Sequence, residues 1–113
     1  MHEAAIAEEI RDIVLEKMKA NNCAKVDKVK ISAGELTSIV PEALEFAYEA
    51  VTKDTPMEGS EIETKIVKLA AKCGRCSREF RVKDFNYICP ECGSVAVKII
   101  RGREMIIQTI EME

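Results

Sequence analysis

Two pairs of cysteines carry the clearest chemistry in this chain. Cys73-Gly74-Arg75-Cys76 is followed, after twelve intervening residues, by Cys89-Pro90-Glu91-Cys92-Gly93. Two residues between cysteines let one turn present both thiolates to a single cation, and Gly74 or Gly93 suits the tight backbone that such a knuckle needs. The spacing is close to that of a structural four-cysteine zinc site, with a slightly short insert. Four thiolates fill a tetrahedral shell and leave no position for water or substrate, so the metal reads as structural and not catalytic. A four-thiolate iron centre would use the same ligands and geometry. Disulfides would need an oxidising compartment. The chain shows no signal-peptide pattern, since its first turn is acidic and its apolar residues are interleaved with charges, and a cytoplasmic location is expected.

The single histidine offers a second site. His2 stands between Met1 and Glu3. A metal ion there could take the Met1 amine, then the His2 amide through a five-membered ring, then the imidazole through a six-membered ring, with the three nitrogens in one plane. Glu3 could complete the set with its carboxylate or its backbone amide. Square-planar nitrogen and oxygen sets suit Ni(II) and Cu(II) alike. The competing reading is an ordinary chain terminus whose second residue happens to be histidine. Cys23, in Asn21-Asn22-Cys23, lies outside both cysteine pairs and is given no role.

The elements that must position these residues follow from periodicity. Ile6, Ile10, Ile13, Val14 and Met18 recur at helical spacing among acids and lysines, which predicts an amphipathic helix over about 3 to 20. Val29, Ile31 and Ala33 alternate with Lys28, Lys30 and Ser32, a half-buried strand that ends at Gly34. Pro41 suits the first turn of a second helix carrying Leu44, Ala47, Tyr48 and Val51, closed by Asp54, Pro56 and Gly59. Residues 61 to 70 read as a strand whose apolar phase changes between Ile66 and Val67, the mark of a bulge or of a strand leaving its sheet. The last strand, from Met105 to Met112, is apolar on both faces and is expected inside the sheet or beneath the helices. Phe80 and Val82, then Val95, Val97 and Ile99, supply short strands that cover the metal.

Length and charge frame the whole. At 113 residues, 47% hydrophobic and 33% charged, this is a globular protein of about one domain's size, without an apolar run near the ~20 residues that would span a bilayer. Residues 69 to 103 hold eight basic and three acidic side chains, while the remainder is acidic enough to give a net charge of −3. The expected organisation is an α+β body of residues 1–70 and 103–113 with a four-cysteine ribbon, residues 71–102, inserted into it. Its two connections, near residues 70 and 103, should lie side by side.

Three features resemble one family across essentially the whole chain. They are Met1-His2-Glu3 opening a helix, the segment Ser32-Ala33-Gly34-Glu35-Leu36 after a lysine-rich strand, and the two cysteine knuckles, joined by Asn86-Tyr87 and by Gly102-Arg103-Glu104-Met105. The family is that of the HypA/HybF hydrogenase nickel-incorporation factors. The resemblance implies a small metallochaperone with two helices on a three-stranded mixed sheet and a separate zinc ribbon. It implies Ni(II) as carried cargo, bound by His2 with the Met1 amine, nearby backbone amides and Glu3 in support, and Zn(II) as a structural ion on Cys73, Cys76, Cys89 and Cys92. It also implies partners: a HypB-type GTPase and the large subunit of [NiFe]-hydrogenase, with neither nucleic acid nor membrane. Two departures are visible. Val40 stands where some members place an acid that approaches the nickel, so that loop is expected to add no side-chain ligand. No histidine follows the cysteine knuckles, so a cysteine-to-histidine ligand exchange there is not available.

The residues show no nucleophile-base pair, phosphate loop or open catalytic metal site, and a carrier is expected in place of an enzyme. The rival classes are a ribbon that binds nucleic acid, motivated by the basic 69–103 segment with Phe80, Phe85 and Tyr87, and an adaptor that uses the ribbon alone. A pI of about 5.3 argues against phosphate recognition. The aromatic residues are read as packing against the metal core.

Overall fold

The computed structural model describes residues 3–113; Met1 and His2 lie outside the described residues. Helix α1, Glu3–Ala20, buries Ile6, Ala7, Ile10, Val14 and Met18, one stripe at three- and four-residue spacing. Ile13, expected in that stripe, sits on its rim at 36% exposure, and Ala7 takes a place inside. The helix ends in a closed cap. Asn22 adopts φ 54, its N–H donates to the Lys19 carbonyl, and the Cys23 N–H donates back to the Met18 carbonyl at 2.9 Å. Cys23 then packs against the main core, which gives this cysteine a structural place.

Strand β1, Val26–Gly34, is the centre of a three-stranded mixed sheet. Strand β2, Glu61–Val67, runs parallel to it in unbroken register. Helix α2, Pro41–Thr52, is the crossover that a parallel pair requires. Leu44, Tyr48 and Thr52 are its buried face, and the Tyr48 hydroxyl is 2.6 Å from the Ser60 hydroxyl beyond the helix end. Because the β1–β2 register has no shift, the apolar phase change of 61 to 70 marks a chain leaving its sheet, not a bulge.

Strand β6, Met105–Met112, takes the second of the two places expected for it: it pairs antiparallel with β1 at the sheet's edge, not in its interior, and packs against the helix-covered core. A register shift opposite Lys30 and Ile31 leaves Gln108 extra, a β-bulge that reverses the side-chain phase. Met105 and Ile107 before the bulge, and Ile110 and Met112 after it, therefore all pack against the same core. Ile106 is turned out at 47% exposure. The apparent two-faced strand is one apolar face with a step in it.

Between β2 and β6 the chain builds a second, antiparallel sheet of strands β3 (Ala70–Cys73), β4 (Glu79–Arg81) and β5 (Val97–Arg101) in the order β4-β3-β5. The two crossings between the sheets meet the turn that follows β1. Gly34 N–H donates to the Glu104 carbonyl at 3.0 Å, and Leu36 N–H donates to the Gly102 carbonyl at 2.9 Å. A Cβ on Gly34 would stand 2.3 Å from the Gly102 carbonyl, so only a bare backbone fits this approach. Gly102 itself has φ +90 and lies against the Leu69 backbone of the other crossing.

Gly34→Ala is expected to lower the unfolding free energy by about 2 kcal/mol or more, since the clash is with backbone and cannot be relieved by a rotamer change. Urea unfolding followed by helical circular dichroism checks this. A loss under about 0.5 kcal/mol would mean that the crossing gives way without cost.

Candidate metal centre

The two cysteine knuckles are one structure used twice. In the first, the Ser77 N–H donates to the Cys73 carbonyl at 3.1 Å and the Cys73 N–H to the Arg78 carbonyl at 2.9 Å. In the second, the Gly93 N–H donates to the Cys89 carbonyl and the Cys89 N–H to the Ser94 carbonyl, both at 2.9 Å. The left-handed residue each turn needs is Ser77 (φ 64) in one and Gly93 (φ 71) in the other. Gly93 thus does what its position suggested, whereas Gly74 serves close approach: its N–H meets the Ala96 carbonyl at 2.8 Å.

These turns bring four sulfurs together. All four Sγ atoms lie within 4.8 Å of one another, with Cys73 to Cys92 and Cys76 to Cys89 each at 3.6 Å. A tetrahedral ion with metal–sulfur bonds near 2.3 Å places sulfur pairs about 3.8 Å apart, close to the two 3.6 Å pairs, so the cluster has the dimensions of a four-thiolate metal site such as zinc's. Cys73 and Cys89 are buried and Cys76 and Cys92 exposed, the inner pair being the first cysteine of each knuckle. Among the described residues this is the one group of three or more side chains arranged to hold a metal.

The electrostatics point the same way. The Cys73 thiol is pushed down to about 6, first by the Cys76 and Arg75 amides. Cys89 is lowered too, chiefly by the Cys92 amide. The Arg78 amide pulls Cys76 down, but desolvation and the neighbouring thiols outweigh it and raise Cys76 to about 11. Cys92 is raised likewise: the Ser94 amide favours its thiolate, and the Cys73 thiol and burial override it. Two sulfurs ionise at the expense of the other two, because four adjacent negative charges repel. A divalent cation is what allows all four to be thiolates at once.

The apolar support is smaller than expected. Leu69, Ala71 and Val82 form a cluster, with Phe80, Tyr87, Val97 and Ile99 partly buried against it. Two expectations fail. Val95 lies outside any strand at 77% exposure, and Phe85, read as metal-core packing, points away at 76%. Phe85 stands in a turn at positive φ and Val95 in the irregular stretch after the second knuckle, where apolar character does not force burial.

At the other end, Met1 and His2 fall outside the described residues, and Glu3 opens α1. Glu3 Oε2 accepts the Val40 N–H at 3.1 Å. Val40 is the N-cap residue of α2 and has no side-chain cap of its own, so the Glu3 carboxylate joins the starts of the two helices. The structure therefore links Glu3 to the very loop where an additional acid was looked for. Sequence reasoning missed this contact, since nothing in either segment announces the other.

Comparison with known proteins agrees with this architecture over the full length. The family profile described as "Hydrogenase/urease nickel incorporation, metallochaperone, hypA" matches residues 1–112. The hydrogenase maturation factor HypA of Caldanaerobacter subterraneus subsp. tengcongensis is 37% identical over 114 residues, covering 100% of both chains. The factor of the same name from Aquifex aeolicus is 34% identical over 113 residues, covering 100% of this chain and 98% of its own. The solution structure of the Ni metallochaperone HypA from Helicobacter pylori superimposes with a TM-score of 0.71 at 24% identity, over 99% of this chain and 97% of that one. A second solution structure, of a HypA protein, gives 0.70 at 26% identity, over 100% and 97%.

Replacing Cys73 or Cys89 with alanine opens the shell and removes metal-coupled folding energy from a module of some 30 residues, too small to fold on its apolar core alone. The expected result is loss of one bound metal ion per chain and collapse of protection across 70 to 101, with α1 and α2 still protected. Metal analysis with hydrogen-exchange mass spectrometry reads both. Stoichiometric metal and native protection in Cys73→Ala would remove this cysteine from the ligand set.

Proposed function

This chain belongs to the HypA family of hydrogenase/urease nickel-incorporation metallochaperones, and from that premise we propose that it binds Ni(II) at its N-terminus and delivers it during maturation of [NiFe]-hydrogenase. The match that carries the reading is full-length, so it takes in Met1-His2-Glu3 and both cysteine knuckles together. The nickel ligands are the Met1 amine, the His2 amide and the His2 imidazole. Glu3 supports them while its carboxylate is tied to the start of α2. Zinc occupies Cys73, Cys76, Cys89 and Cys92, where it holds the ribbon in shape. A closed four-thiolate shell supplies no open coordination position, which suits a carrier and not a hydrolytic metalloenzyme.

The same reading divides the chain into residues 1–70 and 103–113 as the nickel-binding domain and 71–102 as the zinc ribbon. It places the protein in the cytoplasm, where reduced thiols persist. Among the described residues no helix is long and apolar enough to cross a membrane. Partners are a HypB-type GTPase and the hydrogenase large subunit. The exposed acids Glu8, Glu9, Asp12 and Glu16 of α1 give the GTPase a charged face.

The chelate has a specific chemical signature. Extending the chain by one glycine turns the Met1 amine into an amide and moves the free amine out of ring-forming distance. Isothermal titration should show the Gly-extended protein and His2→Ala each weakened by about a hundredfold or more, with Glu3→Gln milder. Acid should release nickel, because an imidazole with a reference pKa near 6.5 must be neutral to bind and the amine must also lose its proton. Equal affinity with and without the extension would rule out the amine; full affinity in His2→Ala would rule out the site.

The charged face predicts a rate effect. Reversing Glu8 and Asp12 to lysine should slow association with the GTPase at low salt by about tenfold and flatten its salt dependence, with dissociation little changed. Stopped-flow association reads this. Unchanged kinetics would move the interface to another surface.

A further inference from the structure

We propose that Glu35 is a positioning residue: by accepting the backbone N–H of Leu69, its carboxylate holds the four-cysteine ribbon in one orientation on the helix-covered sheet. Glu35 begins the 3-10 turn Glu35–Thr37 directly after β1. That turn is braced by Thr37 Oγ1 donating to the Gly34 carbonyl at 2.6 Å and by the Ser38 N–H donating to the Glu35 carbonyl at 3.2 Å. From it, Glu35 Oε1 reaches the Leu69 N–H at 2.9 Å.

Leu69 is where the ribbon begins. It is 4% exposed, its side chain belongs to the ribbon's own apolar cluster, and its carbonyl accepts the Val82 N–H at 2.8 Å. The two crossings are thus fastened differently. The β5-to-β6 crossing is fastened by backbone alone, through Gly102 and Glu104 to Leu36 and Gly34. The β2-to-β3 crossing is fastened by the Glu35 side chain. With the second fastening lost, the ribbon has a pivot at the first.

Glu35 also faces Arg81 of β4, with Oε2 and the guanidinium 3.8 Å apart. Both side chains are about half exposed, so this ion pair contributes little by itself. The hydrogen bond decides the matter. Its removal would leave the N–H of a buried residue without an acceptor, a larger penalty than the net worth of an ordinary bond.

A ribbon fixed in this way is offered to a partner in one set orientation relative to the helix-covered sheet. That consequence rests on the nickel-delivery reading; the fixed orientation does not. The test therefore uses zinc-loaded, full-length protein without nickel. Residual dipolar couplings should fit one alignment tensor across both sheets in the native protein. Glu35→Ala should require two tensors and should speed hydrogen exchange at the Leu69 amide by about tenfold or more, with zinc content and helix amides unchanged. Glu35→Gln retains an acceptor oxygen and should restore one tensor, and Arg81→Ala should behave as native. One tensor with unchanged Leu69 exchange in Glu35→Ala would overturn the proposal. So would a Glu35→Gln protein that needs two tensors, a readout that also serves if Glu35→Ala fails to fold. A failed nickel titration would count against delivery and leave these outcomes as they stand.

Discussion

A single crowded point, where the chain passes twice between two small sheets, constrains everything else in this molecule. Both passages press on the turn after β1, and the approach is so close that Gly34 and Gly102 meet backbone to backbone. Neither side of this joint is large. The ribbon holds only three buried apolar residues in its cluster besides its cysteines, far short of a self-sufficient core. A module of this size needs a metal on its four sulfurs to hold its shape, and the joint gives its placement. The result is an elongated molecule of 54 × 26 × 16 Å in which the helix-covered sheet and the four-cysteine ribbon share one frame.

Features set by near neighbours in the chain were the ones that could be read from it. The cysteine spacing implied a four-sulfur cluster, and the sulfurs converge within 4.8 Å. The Asn21-Asn22 stop and the Pro41 start mark real helix ends because capping chemistry is local. Features set by contacts across the chain were not legible. The bulge at Gln108 turns two apparent apolar phases of β6 into one, and only pairing with β1 reveals it. Ser77 adopts the left-handed conformation that Gly93 adopts in the matching turn, a role no propensity assigns to serine. Glu35 was noticed as part of a motif, yet its contact lies 34 residues away at Leu69.

The four-cysteine cluster and the proposed nickel ligands differ in a way that would keep two metals apart. Four thiolates form a soft, closed shell suited to a structural metal, and the knuckle turns bring the four sulfurs within 4.8 Å of one another. The proposed nickel ligands are nitrogens from the terminus, with oxygen in support from a carboxylate already tied to α2. Affinity alone would not separate these ions, since both bind sulfur and nitrogen readily. Ligand type and geometry do. Under the proposed reading, such unlike sets suit one metal that stays in place and one that is passed on.

The most direct test of this account is X-ray absorption at both metal edges on untagged, zinc-loaded protein given one equivalent of Ni(II). The account predicts a nickel shell of nitrogen and oxygen only, with zinc still surrounded by four sulfurs. Sulfur in the nickel shell, or zinc displaced from its four sulfurs by the added nickel, would contradict it.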